Sequence, residues 1–209
     1  MATEVEMCNA ALSVLGATTI VSLTQDSFEA NLCHTFYPQS RDKIMRAHTW
    51  NCATTRKSLN ALSAAPLDMS GDFTKQFPVP TDSLRILELN FPNPGEAWKV
   101  EISPDSDSKV ILCNSDTLTC KYIKKITDTS LFDSLLVEAI EFDLMGKLAI
   151  PIKGSEALHT KYLEMAEAKI QEARTIDGME GTTERMQSNE ILAARFSGSS
   201  YGDRRSGWI

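Results

Sequence analysis

SLFDSLLVEAIEFDLMGKLAIPIKG, residues 130–154, is the stretch on which the fold turns. Leu131, Phe132, Leu135, Leu136, Ala139, Ile140, Phe142, Leu144, Met145 and Leu148 spread apolar surface round most of a helical circumference. A helix of that kind must be covered on more than one side. Ser134, Glu138 and Glu141 share its one polar stripe, whereas Asp143 and Lys147 form an i,i+4 pair on roughly the opposite side. Pro151 and Gly154 make the break. The pattern predicts a helix over 130–150.

On the C-terminal side, Leu158, Tyr162, Ala166, Ile170 and Ala173 give a narrower apolar stripe, and predict a helix over 155–176. At the N-terminus, Thr3 and Glu6 stand at capping-box spacing, and Val5, Cys8, Leu12 and Leu15 share one face before Gly16, predicting a helix over 3–16. Phe28, Leu32 and Phe36 predict a second helix over 26–48, with Asp26 and Glu29 at its start. Pro38 should kink or divide it, and Trp50 closes the segment.

Between residues 50 and 127 the period changes. Prolines at 66, 78, 80, 92, 94 and 104 interrupt short apolar runs, which supports strands better than helices. Trp98, Val100 and Ile102 alternate with Lys99 and Glu101, and Cys120, Tyr122 and Ile126 lie opposite Lys121 and Lys125, as half-buried strands would place them. Val110–Cys113 reads as a hairpin partner of the Trp98 strand across the turn-rich segment Ser103–Ser108. Trp50 and Trp98 read as core anchors. Beyond Gly178 the composition shifts to Gly, Ser, Arg, Met and Thr with isolated aromatics, which cannot build a core alone. The expectation is an α+β body over 1–177, a bundle of N- and C-terminal helices round a central antiparallel β region, and an extended C-terminal tail over 178–209.

The 209 residues, 42% hydrophobic and 23% charged, suit one ordinary domain or one domain with an appendage. The five cysteines, Cys8, Cys33, Cys52, Cys113 and Cys120, are scattered without a CxxC pair, and read as buried thiols of a reducing compartment. The chain opens directly on a helical pattern, so no secretion signal is expected. Asp133, Glu138, Glu141, Asp143 and Lys147 put too much charge in the longest apolar stretch, residues 131–152, for a membrane span. A net charge of -7 argues against a surface that grips nucleic acid all over. From Asp128 to Asp177 ten acidic residues stand against five basic ones, net -5, whereas the last fifteen residues carry net +2.

No assembled catalytic or metal constellation is legible. His34, His48 and His159 have no second ligand at a helix-face spacing, there is no GxSxG elbow, and glycine-rich phosphate loops are absent. Glu138 with Glu141 or Asp143 could be paired on paper for glycoside hydrolysis, but acidic residues at helical spacing usually form a solvated face. Lys121, Lys124 and Lys125 read as a protected strand edge or a solvated face. No cofactor is implied, and the expectation is a structural protein, not an enzyme.

Five stretches, taken in order, carry a resemblance: NAALSVLGATTIVSL at 9–23; the run from Asn31 through Arg41 to RAHTWN at 46–51; FPVPTDSLRIL at 77–87; KYIKKITDTSLFDSLLVEAI at 121–140; and EAR at 172–174. Together they resemble the head-to-tail adaptors of short-tailed bacteriophages, the tail tubular protein A family. Thr49 departs from that family, which more usually has proline before the tryptophan. The resemblance implies a homo-oligomeric ring, a dodecamer, between the portal protein and the tail nozzle protein at the head–tail junction of the virion, assembled in the host cytoplasm. DNA would pass through its channel without sequence-specific binding, and no membrane is involved. Helix 130–150 would then pack in its own bundle on one side and on a neighbouring copy on the other. Glu138, Glu141, Glu164 and Glu167 would face the channel and repel phosphate. Phe196, Tyr201, Arg204, Arg205 and Trp208 would make the tail a portal-docking element. The competing reading is a virion-associated peptidoglycan hydrolase.

Overall fold

The computed structural model describes residues 2–63, 73–91, 96–103, 107–177 and 179, and residues 1–177 form one compact unit. Its elements run α1 (Glu4–Val14), α2 (Phe28–Ala47), β1 (Thr54–Leu59), β2 (Lys75–Pro78), β3 (Ser83–Asn90), β4 (Lys99–Ser103), β5 (Ser108–Cys113), β6 (Leu118–Lys124), α3 (Ser134–Lys153) and α4 (Glu156–Asp177). The protein is α+β, with four α-helices and two small antiparallel sheets among the described residues.

Local chemistry sets the helix ends. Thr3 and Glu6 close the capping box on α1, Thr3 N–H donating to Glu6 Oε2 at 2.7 Å and Glu6 N–H to Thr3 Oγ1 at 3.2 Å. That hydrogen bonding holds the Glu6 carboxyl below its usual range. Ser27, not Asp26, caps α2, accepting from Ala30 N–H at 3.2 Å. Asp133 caps α3, accepting from Leu135 N–H at 2.8 Å; Thr129–Leu131 forms a separate 3-10 turn before it. Gly154, at φ 63°, ends α3 in the left-handed conformation that glycine tolerates best.

Two prolines stand inside helices. Pro38 lies inside α2 without dividing it, and α3 continues through Pro151 to Lys153. An interior proline costs about 3 kcal/mol. Around Pro38 that cost is offset by burial on both sides, through Cys33 and Tyr37 before it and Ile44 and Met45 after it. The buried face of α2 is Ala30, Cys33, Tyr37, Arg41 and Ile44; of the Phe28, Leu32, Phe36 stripe, Leu32 and Phe36 pack at the border of this core while Phe28 is 59% exposed.

α3 packs against α1, α2 and α4. Leu136, Ala139, Ile140, Leu144, Leu148 and Ala149 are fully buried. The second apolar side of α3, which the resemblance assigned to a neighbouring copy, is covered by helices of its own chain. α4 buries Ala166, Ile170 and Ala173, with Leu158 and Tyr162 packed at the border. A Cβ at Gly146 would come within 2.9 Å of Leu163 Cδ2 and 3.3 Å of His159 O, so any larger residue would push the Leu163 side chain aside and crowd the α4 backbone. Trp50 is 1% exposed and donates from Nε1 to Ile44 O at 3.0 Å, closing the base of the same core.

The β region folds as two three-stranded sheets, ordered β1-β6-β3 and β2-β5-β4. They share a second core of Leu59, Phe77, Ile111, Cys113, Leu118, Cys120 and Tyr122. Pro78 closes β2, an outer strand, where a missing N–H does least harm. β5 pairs with β4 as the hairpin reading required, Ser103 opposite Ser108. Trp98 departs from its core-anchor reading: it is 45% exposed, and Val100 and Ile102 are exposed with it. The reason is topological, since β4 ends its sheet.

Candidate functional surface

Two helices carry the acidic surface. Glu138 and Glu141 stand on α3, Glu164 and Glu167 on α4. Glu138 is not a free carboxylate: Lys169 of α4 donates to it at 2.9 Å and to Glu172 at 3.0 Å, and the two carboxylates raise the lysine's pKa. Glu141 is half-buried, and burial, aided by the charge of Glu138, raises its pKa. Glu164 and Glu167 are exposed, Glu167 accepting from Gln171 Nε2 at 2.8 Å. The strip therefore grades from partly neutralised on α3 to open on α4. Phe196, Tyr201, Arg204, Arg205 and Trp208 lie outside the described residues.

Asp143 does not join Glu138 and Glu141. It is fully buried, and its carboxylate meets Lys43 of α2 at 2.5 Å and Lys147 at 3.2 Å. The i,i+4 pair with Lys147 was readable from spacing. Lys43, a hundred positions away, was not. A buried carboxylate held between two lysines fastens α2 to α3.

The other polar residues also serve the fold. Arg41 is nearly buried over the Tyr37 ring, 5.9 Å from its centroid, and pairs with Asp42 at 2.8 Å and Glu4 at 3.8 Å. Lys121 and Lys124 of β6 are not on an edge, because β6 is the central strand of its sheet, and Lys125 directly follows it. Lys121 faces Glu88 at 3.6 Å, Lys124 faces Asp82 at 3.9 Å, and Lys125 pairs with Asp42 at 2.7 Å. His159 Nδ1 lies 2.7 Å from Gly146 O, at the closest approach of α3 and α4. Cys8 and Cys33 are buried, and the hydrogen bond between them, then burial, keeps Cys8 protonated. Among the described residues no group of His, Cys, Asp and Glu could hold a metal ion, and no helix is long and apolar enough to cross a membrane.

Compared with known proteins, the chain matches no family model and no curated protein.

Four side chains that sequence reasoning had passed over or misassigned meet at another place. Arg46, Arg85, Trp98 and Lys109 line one groove of about 220 Å³. No local pattern links them, since they come from α2, β3, the approach to β4, and β5.

Proposed function

We propose that the protein is a head-to-tail adaptor of a short-tailed bacteriophage, a structural ring component between portal and tail nozzle through which the genome passes. The observation that carries this reading is that the stretches behind the resemblance interlock. Asn9 and Ile20, both in the first, exchange hydrogen bonds of 2.8 and 2.7 Å. Arg46 donates to Leu84 O, tying the second stretch to the third. Lys125 N–H donates to Asp82 O at 2.7 Å, tying the fourth to the third, and its ammonium reaches Asp42, inside the span of the second, at 2.7 Å. Arg174, in the last, reaches Ala47 O at 3.5 Å. Segments scattered over most of the chain supply the ties of one framework, as segments of a shared fold should.

On this reading Glu164 and Glu167 are the principal channel-facing groups, with Glu138 and Glu141 contributing less because one is paired with Lys169 and the other is half-buried. The residues after Gly178 dock on the portal. Electron microscopy of the protein mixed with its portal tests the proposal: twelve copies capping the portal vertex are expected, and a protein that never joins that vertex refutes it. Deleting the chain after Gly178 should leave a folded protein that fails to bind portal. Glu164→Lys with Glu167→Lys should slow DNA ejection.

A further inference from the structure

Cys8 of α1 and Cys33 of α2 stand twenty-five positions apart in sequence and meet in the core of the helical bundle. Both are wholly buried. The packing of the two helices brings them together. Glu4 of α1 reaches Arg41 of α2 at 3.8 Å. One turn forward from Glu4 on the same face of α1 comes Cys8, while one and two turns back from Arg41 on the buried face of α2 come Tyr37 and Cys33. The two helices therefore run in opposite senses at this contact, and the Cys8 thiol donates a hydrogen bond to the Cys33 sulfur.

The other three cysteines stand elsewhere. Cys52 is half-buried after α2, and Cys113 and Cys120 lie in the core of the sandwich. All five are free thiols. What sets Cys8 and Cys33 apart is that two elements distant in sequence hold their sulfurs in direct contact, already sharing a proton. A disulfide needs the sulfurs at about 2.05 Å, which side-chain rotation and a slight approach of the helices would give.

We propose that Cys8 and Cys33 form an oxidisable dithiol site, which a hydroperoxide converts into a disulfide that staples α1 to α2. Cys33 reacts first, because the bond from Cys8 favours its thiolate, against the opposing effect of burial. Its sulfur attacks one oxygen of hydrogen peroxide; the S–O bond forms, the O–O bond breaks, and a sulfenic acid and one water result. The Cys8 sulfur then attacks that of Cys33. The S–S bond forms, the S–O bond breaks, and the hydroxyl leaves with the Cys8 proton as a second water. Two thiols are oxidised and one peroxide is reduced. Peroxide is close to water in size, and α1, eleven residues long and exposed at Glu6, Ser13 and Val14, admits it by local opening. The inference stands on the bundle alone and does not depend on the adaptor reading.

The test treats the full folded chain with hydrogen peroxide, quenches with catalase, alkylates the remaining thiols in denaturant, and maps the digest by mass spectrometry. A linked pair of peptides carrying Cys8 and Cys33, lighter by two hydrogens, is expected, with Cys113 and Cys120 still alkylated. The melting temperature should rise by about 5 °C or more, since the bond closes a long loop of the unfolded chain. Dithiothreitol should reverse the rise, which it would not do for methionine oxidation. Cys8→Ser and Cys33→Ser should each abolish link and rise, whereas Cys52→Ser should keep both; the mapping of the parent chain decides the matter even if a serine variant fails to fold. Four outcomes would each overturn the proposal: both thiols alkylated after treatment, sulfinic acid accumulating at Cys33 with Cys8 free, a link only between other cysteines or between copies of the chain, or a Cys8–Cys33 link that leaves the melting temperature unchanged or lowers it.

Discussion

The helical bundle and the β sandwich solve the same problem to different degrees. In the bundle, α3 is apolar nearly all round and is surrounded by α1, α2 and α4, so even Asp143 can be buried against two lysines. In the sandwich, a smaller core is sealed by residues of β1, β6, β2 and β5, but Trp98, Val100 and Ile102 along β4 stay exposed. A helix can be wrapped by three neighbours from its own chain. A sheet face is covered only where the opposing sheet lies close over it, and here three strands over three still leave Val100 and Ile102 of β4 exposed. The lesson is that hydrophobicity in the sequence does not say where a partner is needed: the most apolar segment is self-sufficient, and a modest strand is the one left bare.

The largest test of that contrast is Trp50→Ala, which empties the base of the closed core and removes the bond to Ile44 O. It should cost about 3–5 kcal/mol in urea unfolding; a loss under about 1 kcal/mol would mean that the bundle is less closed than described. Gly146→Val probes the close crossing of α3 and α4, where even a Cβ meets Leu163 at 2.9 Å. About 1–3 kcal/mol of destabilisation is expected, read as a drop in thermal midpoint. Ile102→Ser should by contrast change stability by no more than about 0.5 kcal/mol, since Ile102 is 65% exposed. A cost as large as that of a core truncation would show that β4 is covered.

Glu141→Gln should give the smallest effect, and its sign depends on pH. Burial and the neighbouring Glu138 raise the Glu141 pKa in the fold, so its ionised form is disfavoured there relative to the unfolded chain. Its favourable contribution is complete below the unfolded pKa and is lost as pH rises through the folded one. The glutamine variant should therefore be more stable than the parent at about pH 7, by up to about 0.5 kcal/mol, and the advantage should vanish near pH 3. Comparing melting temperatures at the two values decides it.

Much of the architecture was legible because it rests on local signals. The Thr3–Glu6 box, the αL glycine at 154, the apolar circumference of α3, the stripe of α4 and the hairpin of β4 with β5 each follow from spacing that neighbours along the chain enforce. On α2 the large residues Leu32 and Phe36 only border the core and Phe28 is exposed, because small residues such as Ala30 and Cys33, which a hydrophobic count underweights, are what a close helix contact admits. Of the acidic surface, the positions on α3 and α4 were readable, but not that Lys169 would reach Glu138 or that Asp143 would turn to Lys43.

The sequence by itself determined the kinds of element, their order and most of their ends, because capping, periodicity and turn chemistry act within a few residues. Only the tertiary structure decided which apolar surfaces are covered. Burial is a relation between segments tens of residues apart, and whether the apolar residues of β4 are covered depends on how the two sheets pack, which no periodicity in β4 records.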